Sequence, residues 1–302
     1  MSAVTTDRPL ASGPENEIEL GQLVSARLAA ESVRLKEEFG GPNPDRIRFC
    51  VLDDLLPEAI FLSAFGQLPR LSDMVRRADM RERKFVSANL DKLEGPIVDI
   101  VLALADPRIA KIVAGIIGKK RLEVDPSLYN GGITVMLPGD FMCPHLDNSH
   151  DQARKRRRDV VLLYYFSPFW LPEYQGSLEL WRLDGKTSQS SIEYKPNRLV
   201  ILETTDHSWH SIQSILGPMP RASVTSYFYG PESERSPVRL TRFTSWPGDP
   251  LRGMLFDAQF HLRSIAARFI RRSVGNRHVY RPEATPSART VEASTGSPHR
   301  RP

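Results

Sequence analysis

Apolar positions along the chain change period more than once, and each change predicts an element. Over residues 18–39 they recur at helical spacing, with Leu20, Leu23, Val24 and Leu28 set among charged residues, and predict an amphipathic helix. Gly40-Gly41-Pro42 would stop it. Residues 46–52 alternate as a strand, and Asp53-Asp54 leads into a helix starting near Pro57 and ending before Pro69. Charges are dense over 71–93 and no period holds, so mixed helix and loop is expected there. Residues 95–105 and 107–117 predict two helices with apolar faces. Short strands are then expected at 121–126, 132–137, 160–166, 177–181, 191–194, 199–203, 209–213 and 222–229, with a further one at 238–244. Turn signals such as Asn130-Gly131-Gly132 and Asp184-Gly185 separate them. The pattern is that of a sandwich or barrel, a mostly β fold with flanking helices. After Pro247-Gly248-Asp249-Pro250, residues 254–272 predict a helix with Leu255, Leu262, Ile265, Phe269 and Ile270 against Arg263, Arg268, Arg271 and Arg272. Such a helix packs on the sheet, joins a homodimer or lies on an anionic membrane surface.

Composition narrows the picture. A chain of 302 residues with 40% hydrophobic content can bury a sizeable core, and one domain is expected. The net charge of +5 hints at nucleic acid until it is located. Residues 271–302 hold seven Arg and two Glu, so this tail alone contributes +5 and residues 1–270 sum to zero. No nucleic-acid partner is expected of such a body. Cys50 and Cys143 are too few for a disulfide framework and fit a reducing, cytoplasmic setting. Cys143, with no cation or second cysteine near it in sequence, reads as a small buried hydrophobe rather than a redox switch. No signal peptide is expected in the N-terminal stretch, and the most apolar run, IVDIVLALA, is short and carries Asp99, so no transmembrane segment is expected.

The candidate chemistry lies between Met136 and Phe228. His145-Leu146-Asp147 on an extended segment puts one imidazole and one carboxylate on the same side while Leu146 turns away. His210 can bring a second imidazole from a distant strand. Two imidazoles and a carboxylate with other positions open form the facial triad of non-haem Fe(II). An HxD tripeptide alone is weak, since it arises by chance. His207 competes with His210, but three residues apart on a strand they face opposite sides and only one can reach the metal; His210 is preferred, and His207 falls in a polar turn. Alternation along RASVTSY puts Arg221, Ser223 and Thr225 on one face, with Ala222 and Val224 on the other. A guanidinium fork and a hydroxyl could then meet one carboxylate; the alternative is a surface arginine after a turn. Residues 154–158, Arg-Lys-Arg-Arg-Arg, read as a solvated loop, or as a site for an anionic substrate or partner because the loop leaves the metal directly. His150 is expected to face solvent and Trp170 to be core, while Asn148 and Tyr165 are expected behind the metal ligands.

In order along the chain, LPGDFMCPHLD, LLYYFSPFW, GSLELW, NRLVILETTDHSWHSI and PRASVTSYF resemble the prolyl-4-hydroxylase-like branch of the Fe(II)/2-oxoglutarate-dependent oxygenases over about residues 48–243. The resemblance implies a double-stranded β-helix, or jelly roll, with flanking α-helices. It implies His145, Asp147 and His210 as the iron ligands, and Arg221 as partner of the distal carboxylate of 2-oxoglutarate, assisted by Ser223 and Tyr165. It also implies O2 as oxidant and ascorbate as an accessory reductant. The expected reaction is hydroxylation of an unactivated C–H of a small molecule or peptidyl residue, with release of succinate and CO2. Leu137 departs from the family, which often has a tyrosine before the Pro-Gly of this loop. The expected organisation is a disordered stretch at 1–17, one oxygenase domain at 18–273 with its jelly-roll core at about 121–230 and a helix at 254–272, and a disordered basic tail at 274–302. A cupin-like metal protein would use more histidines and a glutamate and has no need of Arg221. A non-catalytic jelly-roll interaction module would be expected to have lost a ligand. A halogenase would lack Asp147.

Overall fold

The computed structural model describes residues 14–269 apart from 42–45, 88–89, 91–92, 94, 183–184, 186 and 232–236, with side chains from 17 to 262. The basic tail and the first thirteen residues lie outside the described residues. Two antiparallel sheets face each other, and helices back one of them.

The larger sheet is built from β1 (Phe49–Leu52), β2 (Met74–Ala78), β3 (Arg83–Ser87), β4 (Glu123–Val124), β5 (Gly132–Met136), β7 (Arg158–Tyr165), β10 (Leu199–Glu203) and β12 (Arg221–Tyr229), after β6 (Met142–Leu146) has crossed to the smaller one. Its order is β1-β10-β7-β12-β5-β3-β2, with β4 added against β12. The smaller sheet joins β6 to β8 (Leu178–Trp181), β9 (Ser188–Ile192), β11 (His210–Ile212) and β13 (Arg242–Phe243) in the order β13-β6-β11-β8-β9. This is the mostly β jelly roll with flanking helices.

Helix α1 (Pro14–Gly40) buries Leu20, Val24, Leu28, Leu35 and Phe39, a stripe at spacings of four and seven that falls on one face. That face meets α3 (Pro96–Ala103) and α4 (Pro107–Ile116). Helix α4 starts where the sequence provides a cap: the Asp106 carboxylate accepts the Arg108 backbone N–H at 2.7 Å, and Pro107 supplies the first turn without needing a donor. Val224, Ala222 and Phe228 of β12 point into the same core, where a side chain the size of Val or Phe contributes ~1.5–3 kcal/mol. The short helix α2 (Glu58–Phe65) closes it with Phe61 edge-on to Phe166 at 5.8 Å.

One expectation needs correction. Residues 74–87 form the β2–β3 hairpin, not mixed helix and loop. The pair sits at the sheet edge, where Arg76, Arg77 and Lys84 find acids across strands and loops rather than water alone, so no hydrophobic alternation betrays it. Helix α5 (Pro250–Phe269) buries Phe256 against Phe243, Met142 and Cys143, while Leu251, Met254, Leu255 and Leu262 are exposed; the side chains of Ile265, Phe269 and Ile270 lie outside the described residues. No helix among the described residues is long and apolar enough to cross a membrane.

Candidate metal centre

Strands β6 and β11 pair with His145 directly opposite His210, which brings the two rings to 4.1 Å between centroids. Residue 147 follows one step beyond the end of β6, on the same side as His145, and its Oδ1 lies 3.7 Å from the His145 Nε2. One ligand atom from each of His145, Asp147 and His210 falls within 4.8 Å of the others. Each imidazole is oriented by its own strand: His145 Nδ1 lies 3.1 Å from the Cys143 carbonyl and His210 Nδ1 lies 2.9 Å from the Ser208 carbonyl. A carbonyl accepts only, so both Nδ1 atoms carry the proton and both Nε2 lone pairs are free for a cation. Burial, with His210 alongside, pushes the His145 pKa down to about 3, so no proton competes for that lone pair near neutrality. Burial disfavours a charged Asp147, yet His210, His145 and Arg158 together hold its carboxyl below the ordinary range. Phe243 stacks on the outer face of His145 at 5.3 Å. His207 is exposed in the preceding turn.

The triad opens into a cavity of about 550 Å³ between the two sheets. Arg221, Ser223, Thr225 and Tyr227 line it from one face of β12. Arg221 is 1% exposed; its Nε donates to the Gly176 carbonyl at 2.8 Å, while its Nη1 has no hydrogen-bond partner. Its guanidinium lies over the rings of Tyr165 and Tyr194, at 4.9 and 4.6 Å. Those rings stack on each other at 4.5 Å, and the Tyr165 hydroxyl is likewise buried without a partner. Burial lowers the Arg221 pKa and pushes Tyr165 up to about 12, so the pair stands as a cation and a neutral phenol. A buried cation with a spare N–H beside a spare O–H fits a carboxylate, and two imidazoles with a carboxylate fit Fe(II). Leu137 packs towards the main core, with its backbone N–H on Asp140 at 2.8 Å.

Two cavity residues carry no earlier expectation of this kind. Tyr227 sets its hydroxyl at the Asp147 carboxylate. Arg158 belongs to the run read as a solvated loop, and that reading fails at its last member: Arg154 and Lys155 are exposed, but Arg158 is 1% exposed and lines the cavity. A bulge explains why alternation missed it. Val160 pairs with Phe228, yet Arg158 pairs with the next residue, Tyr229, so Asp159 drops out of register and Arg158 turns to the side of Val161, Leu163 and Tyr165. His150 is also buried, at 2%, with Nδ1 2.7 Å from the Ser149 hydroxyl, instead of facing solvent. Asn148 sits at the cavity wall, held by Asn130 at 3.3 Å. Trp170 is core, with its indole N–H on the Gln175 carbonyl.

The fold and the centre define a jelly-roll protein whose cavity sets a candidate metal triad and a buried arginine side by side. Residues 131–229, which include His145, Asp147, Tyr165, His210, Arg221 and Ser223, match the model of the 2OG-Fe(II) oxygenase superfamily. The chain is similar to a prolyl-4-hydroxylase from Pseudomonas putida, at 15% identity over 68% of this chain and 98% of that one, with a TM-score of 0.46. It is similar to a prolyl 4-hydroxylase from Phytophthora capsici, at 15% identity over 80% and 75% of the two chains, with a TM-score of 0.48. HygX from Streptomyces hygroscopicus, solved with nickel, 2-oxoglutarate and hygromycin B, is similar at 17% identity over 62% and 84%, with a TM-score of 0.41. No curated protein matches the sequence.

Proposed function

We propose that the protein is a 2-oxoglutarate-dependent dioxygenase that hydroxylates an unactivated C–H bond of a small molecule or a peptidyl residue. His145, Asp147 and His210 would hold Fe(II), and Arg221 would pair with the distal carboxylate of 2-oxoglutarate, with Ser223 and Tyr165 beside it. The observation that carries this reading is the Arg221 Nη1, buried without a partner in the same cavity as the triad. A guanidinium in that state has a deficit that an anionic cosubstrate removes. Fe(II), 2-oxoglutarate and O2 together supply the oxidation, with succinate and CO2 as the products of the cosubstrate.

The chain's own part is placement. The Cys143 and Ser208 carbonyls fix the imidazole tautomers, and Tyr227 steadies Asp147 from the opposite sheet. The stacked pair Tyr165 and Tyr194 keeps the Arg221 fork from swinging and excludes water from behind it. The substrate is kept at the breadth of a small molecule or a peptidyl residue, since the cavity residues do not choose between them. The single domain at 18–273 belongs to the same proposal. The test is succinate release from the Fe(II)-reconstituted protein across a panel of prolyl peptides, free amino acids and glycosides. Binding of neither Fe(II) nor 2-oxoglutarate by the purified protein would defeat the reading.

A further inference from the structure

We propose that helix α5 presents a docking face turned away from the protein body, and that what covers this face is the surface of an anionic lipid bilayer. The inference is independent of the chemistry assigned to the cavity.

Contacts fix which way the helix is turned. Phe256 is buried against Phe243, Met142 and Cys143, the Arg242 guanidinium carbon lies 5.4 Å from the centre of the Phe260 ring, and a Cβ at Gly253 would stand 2.9 Å from the Ser245 hydroxyl. At about 100° per residue, Gly253, Phe256 and Phe260 share one side of the helix. Leu251, Met254, Leu255, Ala258 and Leu262 fall on the opposite side, and the four larger ones are 53–74% exposed. Steps of three and four make them a stripe, and the sequence keeps that spacing through Ile265 and Phe269. A helix already seated by one face gains nothing in folding from a second apolar stripe in water; such a stripe marks an interaction surface.

Charge and area decide what covers it. Residues 250–302 contain ten Arg against one Asp and two Glu, a net +7, so residues 1–249 carry −2 of the total of +5. Asp257, the one acid on the helix, is already held by Arg242 at 3.0 Å. A second copy would bring two such basic segments together. It would do so along a seam ~30 Å long and ~10 Å wide, short of the ~800 Å² per partner that a stable interface buries. Residues 271–302 themselves offer Val274, Val279, Tyr280 and Val291, scattered among Pro, Ser, Thr and Arg, and no matching stripe. An anionic bilayer suits both properties of the segment: the acyl boundary takes the leucines, and the phosphates take the arginines. Phe256 packs on Phe243, whose ring stacks on His145, so a helix lying in the headgroup layer would hold the metal triad close behind the lipid surface.

The experiment is flotation of the full-length protein with vesicles of phosphatidylcholine alone and of equal parts phosphatidylcholine and phosphatidylglycerol. Uptake by the anionic vesicles and not by the neutral ones is expected, weakening as salt is raised. In the double variant Leu255→Gln, Leu262→Gln, affinity for the anionic vesicles should fall roughly a hundredfold, with Mn(II) binding and the thermal midpoint unchanged because both side chains are exposed. Leu262→Gln alone should lose about tenfold, and stays readable where the pair prevents folding. No uptake of the wild type overturns the proposal. Equal uptake of the folded double variant also overturns it, since arginines would then bind without the helix face. A dimer in sedimentation velocity without lipid, abolished by the double substitution and accompanied by no vesicle uptake, would assign the face to a second copy and overturn the membrane reading.

Discussion

Replacing Arg221 with alanine removes the one group on which the cosubstrate reading turns. In the free protein its Nη1 is buried and unbonded, a deficit worth ~1–3 kcal/mol, and its Nε is engaged with the Gly176 carbonyl at 2.8 Å. Binding a carboxylate cancels that deficit and adds charge-assisted bonds in a site screened from water by Tyr165 and Tyr194. Loss of one partner from such a buried pair costs ~2–5 kcal/mol. At 1.4 kcal/mol per decade, the 2-oxoglutarate Kd should rise between about thirtyfold and a few thousandfold. Calorimetry on the Mn(II)-loaded protein measures this without turnover. Thermal shift gives a second reading: at one hundred times the Kd the wild type gains ~2.7 kcal/mol, and the variant should gain at most ~0.9 kcal/mol at the same concentration. Arg221→Lys should recover part of the affinity, since a point charge cannot offer the planar fork. Metal binding should be retained throughout, because Arg221 touches none of the triad. An unchanged 2-oxoglutarate Kd in a folded, metal-binding Arg221→Ala protein would refute the reasoning.

Three further outcomes are expected. Tyr227→Phe removes the hydroxyl at Asp147 and should weaken metal binding by about tenfold, the low end for an oriented ligand that loses its support, with unchanged affinity counting against that role. Gly176→Ala should lower 2-oxoglutarate affinity by about tenfold with its charge partners intact: the residue has φ +78, and a Cβ would stand 2.7 Å from Ile215 Cδ1 and 3.1 Å from Arg221 Cδ, forcing the guanidinium to shift. Titration by isothermal calorimetry decides it, and wild-type affinity would mean the neighbours yield instead. Cys143 should resist alkylation at pH 8 in the folded protein and react once denatured, because burial pushes its thiol up to about 11; rapid labelling of native protein, located by peptide mass, would contradict this.

The sequence was most informative where periodicity and chemistry coincide. Parity puts His145 and Asp147 on one side of an extended segment, and the β6 trace has that form. Alternation along β12 separates Arg221, Ser223 and Thr225 at the cavity from Ala222 and Val224 in the core. It was silent where contacts between distant segments override the local pattern. The β2–β3 hairpin is charged along its length, and only pairing with Asp140, Glu82 and the β5 edge makes it a strand pair.

By itself, then, the chain order determined which chemistry was available, since residue types and their parity on a strand follow from covalent geometry: an HxD pair, a distant histidine and an arginine two steps from a serine. Tertiary structure decided what that chemistry faces. The pairing of β6 with β11 set His210 rather than His207 opposite His145, and the bulge at Asp159 turned Arg158 from an apparent solvated run into the cavity. The stacking of Tyr194, from beyond β9, under Tyr165 and Arg221 joins residues far apart in sequence. A register shift of one residue reverses the side a chain presents, and no local pattern records where such a shift falls.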